Sequence, residues 1–184
     1  MAVVIVIILL CLACLVYLIS IYNGLVTLRR QTANAWSQID IQLRRRYGLI
    51  PNLVEAVKAY IRHEHDTLTD LISARNKALA AATVSERGTA ESEVRSLLGS
   101  LFVLAEAYPD LKANQNVLAL QEELKSTEDK VAFARQYYND VVTAYNTRLE
   151  TFPASMIASS SGFRPKELFL IEELKERDNV KVEF

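Results

Sequence analysis

From Ala2 to Ile19 the chain is apolar throughout and carries no charge, and the apolar character continues through Ser20 to Ile21. As a helix, a run of about 20 such residues crosses ~30 Å of hydrocarbon, which predicts a transmembrane anchor over residues 1–21. Beyond it Leu25, Leu28, Thr32, Trp36, Ile39, Leu43, Tyr47 and Ile50 recur at alternating spacings of three and four, the seam of a helix packed against other helices. No Pro or Gly/Ser-rich linker separates the two patterns, so the anchor is expected to run on into this helix as one rod.

Gly48 suits a helix end and Pro51 a helix start, which predicts a hairpin over residues 47–51 and a first soluble helix over about 22–47. The seam keeps its phase through this point, so one helix kinked at Pro51 is the alternative. A second helix over about 51–82 carries Leu53, Val57, Tyr60, Leu68, Leu71 and Ala78 on one stripe, and the polar stretch from Thr83 to Thr89 ends it. A third, over about 89–107, uses Val94, Leu97, Leu101 and Leu104 and stops at Tyr108 and Pro109, with Asp110 to Lys112 as a connection. The strongest pattern covers 114–152. There Val117, Leu124, Val131, Tyr138, Tyr145 and Phe152 recur every seven residues, with Leu120, Thr127, Ala134 and Val141 beside them.

Helices joined by short connections run alternately up and down. The expected fold class is therefore all-α: an N-terminal transmembrane helix continuing into an antiparallel four-helix bundle over 22–152, with a partly irregular tail over 153–184. In the tail, Ala158 to Gly162 breaks the helical pattern and residues 165–177 form one short charged helix candidate. Phe163, Leu168, Phe169 and Ile171 give it apolar surface with which to dock.

Five Gly and four Pro in 184 residues are too few turn residues for a many-stranded sheet protein, which agrees with long helices. A net charge of −1 and a pI of about 6.2 supply no basic field, so nucleic acid is not an expected partner. Cys11 and Cys14 both lie in the apolar run, and the rest of the chain offers them neither a disulfide nor a zinc framework. A cleaved signal peptide or an acylated Cys would call for a basic segment ahead of the run, and none is there. Arg29 and Arg30 follow the run closely and Arg44 to Arg46 come later, so the domain is expected on the cytoplasmic side and the N-terminus outside.

His63, Glu64 and His65 are the one grouping that invites a metal or acid–base reading. Residues two apart point about 200° around a helix from each other, whereas helical zinc pairs need i and i+4, so a surface helix face is expected instead. No nucleophile elbow, phosphate loop or paired-cysteine motif is present, and the expectation is a protein without catalytic residues, metal or cofactor. At 1.5 Å per residue Arg45 stands about 36 Å beyond the run, so the Arg44 to Arg46 cluster is expected to face solvent or pair with carboxylates on a neighbouring helix rather than bind lipid. The informative polar positions are Gln38, Asp40, Arg45, Gln121, Glu128, Arg135, Asn139 and Asn146, which with Trp36, Tyr138 and Tyr145 are candidates for fixing register or forming an interface. A solvated helix flank is the plainer reading of the polar ones.

Several irregular runs carry a resemblance. They are Tyr22-Asn23 with Leu25-Val26 and Leu28-Arg29, Ala35-Trp36-Ser37-Gln38-Ile39-Asp40, Arg45-Arg46-Tyr47 and Leu49-Ile50-Pro51-Asn52-Leu53-Val54, then His63-Glu64. The second half adds Glu106-Ala107-Tyr108-Pro109-Asp110-Leu111-Lys112-Ala113-Asn114, Leu120-Gln121, Glu123-Leu124, Thr127-Glu128, Ala134-Arg135, Tyr138-Asn139, Tyr145-Asn146 and Phe152-Pro153. The sequence resembles the LemA family of bacterial membrane proteins. The resemblance implies a single N-terminal anchor with a short external N-terminus and an up-and-down helical bundle; it implies no reaction, and a member associated with bacterial organelle membranes suggests membrane shaping. Gly48 departs from the Asp such sequences often carry before Leu-Ile-Pro.

The functional expectation is a membrane-anchored scaffold in the bacterial inner membrane, with lipid and further copies of itself as partners. Helix four is about 39 residues long and helix three about 19, so part of the long seam is expected to be left over for another protomer or for the tail. The alternative is an adaptor that regulates a sensor kinase, protease or other protein through the same seam.

Overall fold

The computed structural model describes residues 1–61 and 64–170. Among these, all regular secondary structure is helical: α1 (Ala2–Lys58), α2 (His65–Ala80), α3 (Val84–Glu106), the single turn α4 (Pro109–Lys112), α5 (Gln115–Glu150) and α6 (Ala154–Ser160).

The turn expected at 47–51 does not form: α1 passes through Pro51 and continues to Lys58. A proline inside a helix leaves the carbonyl four residues earlier without its N–H partner. Here that carbonyl is Tyr47 O, and Arg75 Nε of α2 donates to it at 3.0 Å. Ile50, Leu53 and Val57 all lie buried on the continued face, so packing favours extension as well. α1 stops at Lys58 instead, with the Tyr60 and Ile61 amides bonding back to Val57 O, and what was expected as a 51–82 helix is divided between α1 and α2, which begins at His65.

The start of α3 also departs from expectation, at Val84 rather than near residue 89. Thr83 Oγ1 accepts from the Glu86 amide while Glu86 Oε2 accepts from the Thr83 amide, a capping box that makes the polar stretch a helix start. Hydrogen bonds from the backbone amides of Thr83 and Ala82 hold the Glu86 carboxyl below its ordinary range. Pro109 opens α4, whose Leu111 is buried, and Asn114 Oδ1 receives the Asn116 and Val117 amides at the start of α5. The tail, expected to be partly irregular, begins with a helix, α6, which runs on through Ala158 to Ser160, where the helical pattern was expected to break. Beyond its last residue, Ser160, Gly162 with a φ of +73° and the Phe163 N–H to Ala158 O bond form the left-handed stop that glycine adopts most readily. Residues 163–170 are not helical; the remainder of the expected 165–177 helix, and Ile171, lie outside the described residues.

The chain divides into two compact units. The first comprises Met1–Ile39 and Ala134–Leu168. Residues 1–20 are exposed, and the core begins at Ile21, where Ile21 and Leu25 of α1 pack with Tyr145 of α5, Ala154 and Ala158 of α6, and Phe163. The second unit comprises Asp40–Phe133 and Phe169–Phe184. Its core combines Leu43, Tyr47, Ile50 and Leu53 with Leu71, Ala74 and Ala78 of α2, Val94, Leu98 and Leu101 of α3, and Val117, Leu124 and Val131 of α5. Phe169 is fully buried there, against Gly88 of α3.

Candidate functional site

In the second unit, the feature that packing alone does not explain is a layer of charge in the helical core. Arg46 sits on the buried stripe of α1 that also holds Leu43, Ile50 and Leu53, and Glu91 sits on the α3 stripe with Gly88, Val94 and Leu98. Their exposures are 3% and 0%, which for charged side chains requires partners. Arg46 Nη1 donates to Glu91 Oε2 at 3.1 Å, and its Nη2 lies 2.8 Å from Glu128 Oε2 on α5. The Tyr47 hydroxyl donates to the other oxygen of Glu91. One arginine thus ties α1 to both α3 and α5, and the adjacent tyrosine completes the shell of the buried carboxylate.

The electrostatics follow from burial. Desolvation pushes the Glu91 carboxyl above its ordinary range, although the charge of Arg46 and the Tyr47 hydrogen bond pull the other way. Burial, with the Glu91 charge beside it, pushes the Tyr47 phenol far up, so it remains a hydrogen-bond donor. At the edge of the layer Asp40 accepts from Arg44 Nε at 2.7 Å and from Arg87 Nη1 of α3 at 2.5 Å. Burial alone would raise Asp40, but these two guanidinium groups outweigh it and hold the carboxyl below its ordinary range. Arg45 pairs with Glu123 of α5, and Arg95 Nε lies 3.4 Å from Glu128. All three arginines of the 44–46 run therefore face carboxylates.

The first unit uses neutral polar groups. The Trp36 ring packs on Tyr138 with centroids 5.4 Å apart, and the Tyr138 hydroxyl donates to Glu167 O. Asn146 donates to Lys166 O and accepts from the Lys166 amide, both at 2.9 Å, so one side chain satisfies both polar groups of a backbone residue in the tail. Tyr145 is buried in the core beside Ile21 and Leu25. On the C-terminal half of the long helix the seam is therefore occupied, by α1, α6 and residues 163–168, so the tail takes up part of the length expected to be left over.

The remaining candidates are dispersed. Gln38 is exposed, Gln121 lines a groove between α3 and α5, and Arg135 and Asn139 are half-buried. Glu64 precedes α2, and exposed His65 begins it with Nδ1 3.1 Å from Thr69 Oγ1; His63 lies outside the described residues. Sequence reasoning did not single out Glu91, Arg87 or Gly88. A signal for Glu91 was present, since it falls three residues from Gly88 and Val94 on a stripe that is otherwise apolar or small.

The groove has a volume of about 730 Å³ and is walled by Leu98, Phe102 and Ala105 of α3 and Leu118 and Leu124 of α5, with Arg46 and Glu128 at one end. The layer and the groove contain charge pairs and apolar wall, an arrangement suited to holding helices together.

A family model described as the LemA family matches residues 35–184. Protein LemA of Metamycoplasma hominis is 27% identical over 158 residues, which cover 85% of this chain and 72% of that protein. Magnetosome protein MamQ 2 of Paramagnetospirillum magneticum is 22% identical, and Magnetosome protein MamQ of Magnetospirillum gryphiswaldense 21%, each over 174 residues. The chain spans 64% of the length of each of these magnetosome proteins.

Proposed function

The chain belongs to the LemA family, and from that premise we propose that it is a non-enzymatic, membrane-anchored helical scaffold that self-associates and organises the bacterial inner membrane. Residues 1–21 are the anchor, with the N-terminus outside and the helical part in the cytoplasm. The helices beyond the anchor form an up-and-down antiparallel bundle, and the buried Arg46–Glu91–Glu128 layer fixes their register. Lipid and further copies of the chain are its partners; nucleic acid is not.

The observation that carries self-association is the apolar groove between α3 and α5. With the other half of the long seam covered, the α5 face along Leu118, Gln121, Glu122 and Lys125, beside the seam, is what this groove leaves open. Leu118, in the groove wall, is 46% exposed. An amphipathic helix from a second copy fits such a groove through apolar anchors at spacings of three and four. The magnetosome relatives are named for a bacterial organelle, which supports a part in membrane organisation.

The test is the mass of the full-length protein extracted in a lipid-preserving polymer. A multiple of 20.7 kDa that falls to one protomer in Leu118→Glu is the expected result. A single protomer in the unsubstituted protein overturns self-association. A stoichiometric foreign protein co-purifying with that single protomer would favour the adaptor reading instead.

A further inference from the structure

We propose that the corner between α5 and α6 is a lipid-contacting surface, with Phe152 and Met156 entering the interfacial layer of the bilayer beside the exit of the anchor. The proposal rests on the reading of residues 1–21 as a membrane span and adds a second point of bilayer contact, distant in sequence from the first.

Val117, Leu124, Val131, Tyr138 and Tyr145 are all at most 3% exposed, whereas Phe152, next in the same seven-residue series, is 80% exposed. Met156, four residues later on α6, is 65% exposed. The residues interleaved with them are anchored: Ala154 and Ala158 are buried in one core cluster with Ile21 and Leu25. Ile21 is the first buried residue of the chain, at the point where the exposed apolar run meets the protein. The two large apolar side chains therefore flank the place where α1 emerges from the span, and water is not the solvent expected there.

The neighbouring chemistry matches an interface between water and lipid. Tyr22 is 44% exposed and meets Phe163 edge-on at 5.8 Å, so an aromatic ring with a polar tip lies one residue beyond Ile21, as in interfacial aromatic belts. Arg29, Arg30 and Arg148 are exposed in the same unit, and the Arg29 guanidinium lies 5.0 Å from the centre of the Phe163 ring. An apolar contact rimmed by arginine is the pattern that draws a peripheral element onto anionic lipid. A soluble partner would have to reach this corner through the headgroup layer, which favours lipid as the occupant.

The full-length chain, with Cys11→Ala and Cys14→Ala, is nitroxide-labelled at one site at a time and reconstituted in phosphatidylcholine–phosphatidylglycerol vesicles. The sites are Phe152→Cys, Met156→Cys, Ser100→Cys as a water reference and Leu9→Cys as a span reference. Collision with oxygen, which concentrates in lipid, is compared with collision with a water-soluble nickel chelate. The expected result is an oxygen-to-nickel ratio at 152 and 156 several-fold above that at 100 and on the side of that at 9. Water-like ratios at 152 and 156 with a lipid-like ratio at 9 overturn the proposal and leave the anchor standing. A water-like ratio at 9 removes the anchor and the proposal together. Low collision with both reagents at 152 and 156 means that protein covers the corner and also overturns lipid contact.

Discussion

The Tyr47 hydroxyl donates its hydrogen bond to Glu91, a carboxylate with no exposed surface, while Arg46, the residue before Tyr47, holds the other carboxylate oxygen. Consecutive residues of α1 thus close on one buried group of α3, and shifting either helix along its axis would separate all three.

Breaking this layer from one side should be far more damaging than its net contribution to stability. Glu91→Ala leaves Arg46 buried with only Glu128, and a loss of about 3–5 kcal/mol is expected, as for other buried pairs missing one partner. Tyr47→Phe removes one hydrogen bond to a charged acceptor, and about 1.5–3 kcal/mol is expected. Urea unfolding of the full chain in mild detergent, followed by circular dichroism, measures both. Equal losses for the two variants would mean that Arg46 does not depend on Glu91.

Two glycines of α3 should respond oppositely to alanine. A Cβ on Gly88 would overlap the Leu170 carbonyl, a backbone group that cannot rotate aside, so Gly88→Ala should displace the segment carrying Phe169 and destabilise by about 1–3 kcal/mol. A Cβ on Gly99 meets nothing within 4 Å, and Gly99→Ala should stabilise by about 0.5–1 kcal/mol through helix propensity. The same unfolding measurement decides, and a stable Gly88→Ala variant would mean that the tail can lift away freely.

The periodicity was a sound guide to which residues lie inside and a poorer guide to where helices stop. Leu25, Ile39, Leu43, Ile50, Val117, Leu124, Val131, Tyr138 and Tyr145 are buried as their spacing implies. Pro51 misled because its cost is relieved by Arg75, a residue 28 positions from Tyr47 that no local pattern can pair with it. Thr83 and Glu86 misled differently: a polar stretch resembles a loop until its four-residue capping spacing is noticed. Of the polar candidates, Asp40, Arg45, Glu128 and Asn146 make named interhelical or tail contacts, whereas Gln38 faces outward. Flank and buried layer read alike in one dimension, since they differ only by the rotation of a helix.

Asp40 and Glu91 should give stability opposite dependences on pH. Asp40 is held below its ordinary value by Arg44 and Arg87 against the effect of burial, so its contribution is present above the unfolded-state value and is lost as pH falls through the folded one. Glu91 is raised by burial, so its contribution is full below the unfolded-state value and is lost as pH rises through the folded one. In unfolding midpoints measured across an acid series, Asp40→Asn should flatten the fall at the acid end, while Glu91→Gln should remove the decline above the ordinary carboxylate range. An unchanged acid limb in Asp40→Asn would place the acid sensitivity in another carboxylate.

Asn146 offers the sharpest test of how the tail is held, because its amide makes two bonds that can be removed separately. Its Oδ1 receives the Lys166 amide and its Nδ2 donates to the Lys166 carbonyl. Asn146→Ala deletes both, and at about 0.5–1.5 kcal/mol per bond the segment should open about 5- to 150-fold more often. Asn146→Asp keeps an acceptor for the amide and loses the donor. Hydrogen exchange at the Lys166 amide should therefore be fast in the alanine variant and remain slowed in the aspartate variant. Exchange unaffected by either change would mean that Tyr138, through Glu167, and Phe163 hold the segment without Asn146.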